Sequence, residues 1–135
     1  MATFKLRVVT PSTNLLDKDI EFLTVRTTEG DLGILPNHAP FVAELAVGEM
    51  KVKADGIEEF YFLSDGFLEM SKDNVVTILA DEALNVKDLD KELAKKNAIK
   101  AEEQLKKARE NKELALAERN LKVALMKMSV SEKYM

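Results

Sequence analysis

The sequence predicts an α+β chain organised by segments: an N-terminal antiparallel β-sandwich followed by a C-terminal antiparallel two-helix hairpin. Two observations carry this reading. The first is punctuation, since all 5 Gly and all 3 Pro fall within residues 1–84 and none within 85–135. The second is charge: the 135-residue chain has a net −4, but residues 1–84 hold 7 Lys/Arg against 15 Asp/Glu, whereas 85–135 hold 13 against 9. Gly and Pro interrupt short strands, and long stretches free of both allow helix to propagate. The boundary is therefore expected between a β part, 1–84, and a helical part, 85–135. The opposite charges favour attraction between the parts, or an acidic partner for the basic one.

Strand periodicity opens the chain. In "FKLRVV", Phe4, Leu6 and Val8 alternate with Lys5 and Arg7, which buries one face of a strand. "DIEFLTVRT" alternates less cleanly, with Ile20, Phe22 and Thr24 on one side and Leu23 and Val25 on the other. "EMKVKAD", "EEFYFLSDG", "GFLEMS" and "NVVTILAD" follow as short β-branched and aromatic runs, with breaks expected at Gly48, 54–56, 64–66 and 72–74. Asp55-Gly56 is a tight-hairpin signal, because both residues tolerate positive φ.

In the helical part Asn85 is the expected first cap. Glu92/Lys96, Glu102/Lys106, Glu103/Lys107 and Glu118/Lys122 are i, i+4 pairs in the favourable order. The first stripe, Leu93, Ala94, Ala101, Leu105 and Ala108, is thinly apolar; the second is Leu114, Ala117, Leu121, Ala124, Leu125 and Met128. "ENK" at 110–112 is the expected corner, with Asn111 capping the second helix. Leu116, Val123, Met126 and Val130 give that helix a further apolar face, against the β part or against another protein.

One stretch concentrates the chain's unusual residues: "GDLGILPNHAP", residues 30–40, which holds its only histidine, His38. Enzyme chemistry finds little support there. With no cysteine, thiolate nucleophiles and thiolate metal sites are excluded. No G-x-S-x-G surrounds a serine, and "EGDLG" lacks the Lys-Ser/Thr of a phosphate loop. Asp31 and Glu44 lie near His38 in sequence without a diagnostic metal spacing. No apolar run reaches the length of about 20 residues that spans a bilayer, and the N-terminus alternates instead of forming a signal-peptide block. The stretch reads as a stiffened turn: Gly30 and Gly33 permit positive φ, Pro36 and Pro40 fix φ, and Ile34 and Leu35 anchor it in the core. Such a loop, presenting Glu29, Asp31 and His38, suits recognition by another protein.

"EGDLGILPNHAP", then "SDGFLEM", "DNVVTILAD" and an Ala/Lys/Glu helical hairpin, closely resemble the ε subunits of bacterial F-type ATP synthases, from "VVTP" (8–11) to "SVSE" (129–132). The resemblance implies a non-catalytic central-stalk subunit. Its β-sandwich would bind γ and rest on the c-ring, and its hairpin would restrain ATP hydrolysis by extending towards the catalytic α/β subunits. It implies a peripheral position at the cytoplasmic face of a bacterial membrane, with no bilayer insertion and no nucleic-acid partner. Carried over by position, Glu29, Gly30 and Asp31 form the c-ring-facing loop, and Gly33, Pro36 and His38 form the γ/c-ring elbow. Arg119, Lys122 and Lys127 are the hairpin's regulatory contacts to an acidic loop of a catalytic subunit. Most family members carry Gly where this chain has Asn37, and asparagine tolerates the left-handed turn. Some relatives bind ATP through Ile/Leu-Asp-x-x-Arg-Ala; here Leu89, Asp90 and Ala94 match, but Leu93 stands in the arginine position. Val123 replaces a further arginine, with Lys100 and Lys127 at others, so ATP binding is expected to be weak or absent and no cofactor is implied. The coupling ion, H⁺ or Na⁺, belongs to the c-ring and has no signature in this chain. A free-standing β-sandwich adaptor with a purely structural hairpin is the alternative.

Overall fold

The computed structural model describes residues 2–108 and 111–134. They form two compact units, residues 1–85 and 86–135. The first holds β1 (Phe4–Val9), β2 (Asn14–Ile20), β3 (Phe22–Thr27), β4 (Gly30–Ile34), β5 (Phe41–Leu45), β6 (Gly48–Ala54), β7 (Ile57–Met70) and β8 (Val75–Asn85). The second holds a 3₁₀ turn (Val86–Asp88), α1 (Lys91–Lys107) and α2 (Asn111–Tyr134).

The expected alternation of β1 is observed: Phe4, Leu6 and Val8 are buried, while Lys5 and Arg7 face outward. The irregular pattern of "DIEFLTVRT" has a simple cause. Ile20 ends β2 and Phe22 begins β3, so the inward phase restarts at Glu21, and Ile20, Leu23 and Val25 are all buried. The Asp55-Gly56 hairpin is present, with φ of 53° and 76° and Ala54 paired with Ile57.

The sandwich is not purely antiparallel. β1 pairs antiparallel with β2, but parallel with β8, from Lys5↔Val75 to Val9↔Leu79. These partners are far apart in sequence, so no local turn signal announces them. The break expected at 64–66 is also absent, because β7 runs unbroken through Ser64-Asp65-Gly66. Its first half pairs with β6, Ile57 to Leu63, and its second half with β5, Gly66 to Met70. β3 joins β4 and β6, so β7 takes part in both layers around one core of Leu6, Ile20, Leu23, Ile34, Met50, Leu68 and Ile78.

Gly66 makes this possible through space, not through its φ. A Cβ there would lie 1.9 Å from the carbonyl oxygen of Leu79 and 2.9 Å from Ala80 Cα, both backbone atoms of β8. The two strands approach as closely as their main chains allow.

Near the end of the β unit, Lys18 Nζ donates to Glu59 Oε1 at 2.7 Å, and Tyr61 OH donates to Glu59 Oε2 at 3.1 Å. Tyr61 is also hydrogen-bonded to the Asn85 side chain. Asn85 therefore belongs to β8 and is not the cap of the first helix. That role falls to Asp90, whose carboxylate accepts from the Leu93 N–H at 3.1 Å. The sequence offers both Asn85 and Asp90 as capping residue types ahead of the apolar-periodic stretch, and the length of β8 decides between them. The corner at Glu110 lies outside the described residues.

The hairpin seam is built from alanine: Ala98, Ala101 and Ala124 are buried, with Leu121 and Met128 packed against them. Ala94 and Ala117 are buried too, but Leu93, Leu114 and Leu125, expected in the stripes, are exposed at 53%, 38% and 43%. Alanine lets the helices approach closely, which leaves longer neighbours outside the seam. Of the expected pairs, Glu102 and Lys106 meet at 3.8 Å. No helix among the described residues is long and apolar enough to cross a membrane.

Two predictions test this account. Gly66→Ala is expected to destabilise the chain by about 3 kcal/mol in urea denaturation, because backbone atoms cannot yield as a side chain can. Gly56→Ala, with nothing within 4 Å of the new Cβ, should cost only the strain of positive φ, about 1 kcal/mol. Equal costs at the two positions would contradict the close approach. The second concerns pH. Burial, reinforced by the Glu59 carboxylate, pushes the Tyr61 phenol up from 10.0 to about 12. The folded state therefore holds a proton that the unfolded chain releases earlier. The associated stability is complete below pH 10 and is lost as pH rises towards about 12. Denaturation midpoints for Tyr61→Phe should fall less steeply across that window than those of the unaltered chain, and parallel declines would refute the assignment.

Candidate functional site

Residues 30–40 do not form one loop. Residues 30–34 are strand β4, paired with β3 from Thr27↔Gly30 to Leu23↔Ile34. The charged turn lies at one end of this strand and the proline turn at the other, roughly 15 Å apart at about 3.4 Å per residue. The structure therefore brings Glu29, Gly30 and Asp31 together, and separately Pro36 and His38, but does not unite the two groups.

At the charged end, Gly30 adopts φ 119°, as expected. Thr27 Oγ1 donates to the Gly30 carbonyl at 2.7 Å and accepts from the Glu29 N–H at 3.1 Å, which closes the turn and leaves Glu29 exposed. Asp31 sits opposite Arg26 in register and pairs with it at 3.3 Å. Arg26 lies across Gly48, where a Cβ would meet its side chain at 3.0 Å. Both partners are about half exposed or more, so the pair orients the turn more than it stabilises it.

At the other end two expectations change. Gly33 is not in the left-handed region; it is in the strand, and a Cβ there would be 3.2 Å from the Phe22 ring. Ile34 is fully buried, but Leu35 is 59% exposed because the alternation of β4 turns it outward. Leu35 and Pro36 line one side of an open groove of about 570 Å³ with Phe22, Lys51 and Lys53. Asn37 takes φ 64°, the conformation expected of a residue standing in for glycine. The His38 N–H donates to the Leu35 carbonyl at 3.3 Å, and its Nδ1 donates to the Ala39 carbonyl at 2.8 Å. Its ring lies 4.8 Å from that of Phe41, tilted by 59°. His38 is thus held locally and exposed, with one ring nitrogen already engaged.

Sequence reasoning missed Asn74. Its Oδ1 accepts from the Asn37 N–H at 2.7 Å, and its Nδ2 donates to the Thr3 carbonyl at 2.9 Å. It also missed an outward row on the sheet, where Val42, Phe67 and Leu79 are exposed at 69%, 58% and 55%. Phe67 pairs with both Glu44 and Leu79, and Val42 sits diagonally beside it. Register supplies this row, and register is invisible until β5, β7 and β8 are aligned.

In the helical unit, Arg119 and Lys122 are exposed neighbours on α2, and Lys127 is half-buried about 12 Å further along the axis than Arg119. Of the nucleotide-type segment, Leu89 and Ala94 are buried, Asp90 serves as the cap of α1, and Leu93 projects outward. No group of three or more His, Asp or Glu side chains among the described residues could hold a metal ion.

Residues 3–86 match the beta-sandwich domain of the ATP synthase delta/epsilon chain. The chain is 54% identical to the sodium-ion-specific ATP synthase epsilon chain of Propionigenium modestum, across 100% of its own length and 98% of the relative's. The chain belongs to the ATP synthase epsilon chain family. A second epsilon chain, from Ruminococcus albus, is 41% identical over 98% of this chain and 99% of the relative. Among solved structures, a chain of the Euglena gracilis mitochondrial ATP synthase, determined with its c-ring, superposes at TM-score 0.80 with 25% identity, over 93% of this chain and 79% of that one. A chain of the Tetrahymena thermophila ATP synthase central stalk and c-ring matches at TM-score 0.70 with 15% identity, over 94% and 95%, and bears on the fold alone. As an epsilon chain it has its two turns on opposite ends of β4 and its basic residues on α2, in separate units.

Proposed function

We propose that this epsilon chain is the non-catalytic coupling and regulatory subunit of the central stalk in a rotary F-type ATP synthase. It joins γ to the c-ring at the cytoplasmic face of a bacterial membrane, and it restrains ATP hydrolysis through its helices. The observation that carries this reading is the match along the whole chain to the Propionigenium modestum protein. That relative is sodium-specific by name, which fits the sodium option for the coupling ion.

The geometry supports distinct surfaces for distinct partners. The exposed Glu29 turn, oriented by Arg26 and Asp31, suits the polar loops of a c-ring. The outward row Val42, Phe67 and Leu79 offers γ three exposed apolar side chains on adjacent strands. The elbow at 35–38 lies between these roles. On α2, Arg119, Lys122 and Lys127 supply positive charge for an acidic loop of a catalytic subunit, and the alanine seam leaves the hairpin lightly held.

Add-back to the catalytic complex stripped of this subunit tests the reading. The full chain should bind, slow ATP hydrolysis and restore ion pumping. The variant Arg119→Ala/Lys122→Ala/Lys127→Ala should bind equally well but release hydrolysis by several-fold. Failure of the unaltered chain to bind would remove the stalk assignment, and unchanged inhibition by the triple variant would remove the basic contact. A calorimetric titration with millimolar ATP should give no saturable binding, because Leu93 and Val123 cannot donate to phosphate as arginine does. Saturable binding would overturn this expectation.

A further inference from the structure

Asn74 lies in the turn between β7 and β8, 37 residues beyond Asn37 in sequence, yet its side chain joins the elbow to the sandwich. Three separate segments converge on it. Its Oδ1 accepts from the Asn37 N–H at 2.7 Å, and its Nδ2 donates to the Thr3 carbonyl at 2.9 Å. Its carbonyl accepts from the Lys5 N–H at 3.1 Å, and its N–H donates to the Ser71 carbonyl at 3.2 Å. It reaches them in the left-handed conformation, φ 64°, which asparagine adopts more readily than other side-chain-bearing residues.

The side-chain amide is well suited to this place. One end accepts and the other donates, so a single group satisfies an N–H on one segment and a carbonyl on another. Asn37, itself at φ 64°, has its N–H pointed at Asn74. Without that acceptor the turn 35–38 is left with the 3.3 Å His38-to-Leu35 bond across it.

We propose that Asn74 is a positioning residue for docking: it presets the left-handed turn at Asn37, and thereby the presentation of Pro36 and His38 to the stalk partner. This rests on the reading of the elbow as a docking point. A preset turn binds with less ordering cost than one that must find its shape on contact, so loss of Asn74 weakens docking without removing any residue that touches the partner.

The test uses the full chain in two arms. Hydrogen exchange at the Asn37 amide reports the staple, and affinity for the γ–c-ring assembly stripped of this subunit reports docking. Asn74→Gly retains the backbone conformation and removes the amide. It should speed Asn37 exchange and weaken docking, each by about five- to tenfold, the effect of one ordinary hydrogen bond. Asn74→Asp keeps the acceptor for Asn37 and loses the donor to Thr3; it should retain Asn37 protection and dock within twofold of the unaltered chain. Should the Gly variant fail to fold, the comparison of Asn74→Asp with Asn74→Ala, which has no acceptor and the smallest side chain to place at left-handed φ, carries the test. Unchanged Asn37 exchange in the variants lacking the acceptor overturns the staple. Faster exchange with unchanged docking overturns the positioning role. His38→Ala, measured alongside, separates the two layers. If it weakens docking while the acceptor-lacking variants do not, only the Asn74 inference fails; if neither weakens docking, the elbow reading fails with it.

Discussion

The approach of β7 to β8 at Gly66 constrains the β unit more than any other contact. With no Cβ at that position, the main chains close until the Leu79 carbonyl occupies the space a side chain would need. A strand of 14 residues, β7, can then pair with β6 along its first half and β5 along its second while β8 pairs with it from Tyr61 to Met70. The two layers share a continuous hydrogen-bonded spine, and the core between them is closed by Leu23, Ile34, Met50 and Ile78, all fully buried. The recognition surfaces proposed on the β unit hang from that spine. β4 is attached through β3 and β6, the elbow follows β4, and the outward row is composed of side chains from β5, β7 and β8.

This dependence explains which features could be read from the sequence. Phe4, Leu6 and Val8 were legible because alternation is a local property, and Asp55-Gly56 because a two-residue hairpin is specified by its own two residues. Ser64-Asp65-Gly66 has the composition of a turn and is not one, since glycine serves both positive φ and close approach, and composition does not distinguish them. The parallel pairing of β1 with β8 was hidden for a different reason: it joins residues about 70 positions apart with no connecting motif. At the candidate site, Asn37 in the left-handed region was foreseeable from its residue type. Asn74, its partner, was not, because its role is defined by the chain that folds back against it.

The helical unit follows a different physical logic. A buried alanine removes little apolar surface from water, at about 25 cal/mol per Å², so a seam of Ala98, Ala101 and Ala124 gains mainly from close backbone approach. Exposed Leu93, Ile99, Leu116 and Leu125 are apolar surface that this seam does not use. A unit with few large buried side chains opens at lower cost than the sandwich core. The Asp90 cap and the ion pair of Glu102 with Lys106 stabilise the helices as helices, not their mutual packing. Secondary structure and tertiary attachment are thus supported by separate interactions, which allows one to persist while the other changes.

The same separation sets what can be expected of the nucleotide-type segment. Asp90 is retained although the arginine position beside it is leucine, and the cap gives it a reason to be present that involves no ligand: its carboxylate satisfies an N–H at the start of α1. Leu89 and Ala94 likewise have buried packing positions. Three matching residues of a binding pattern are therefore accounted for by the stability of the hairpin alone. The position that would have required a phosphate to justify it, Leu93, carries an exposed apolar side chain instead. Because Leu89, Asp90 and Ala94 also hold the fold, their presence is not by itself a sign of a ligand.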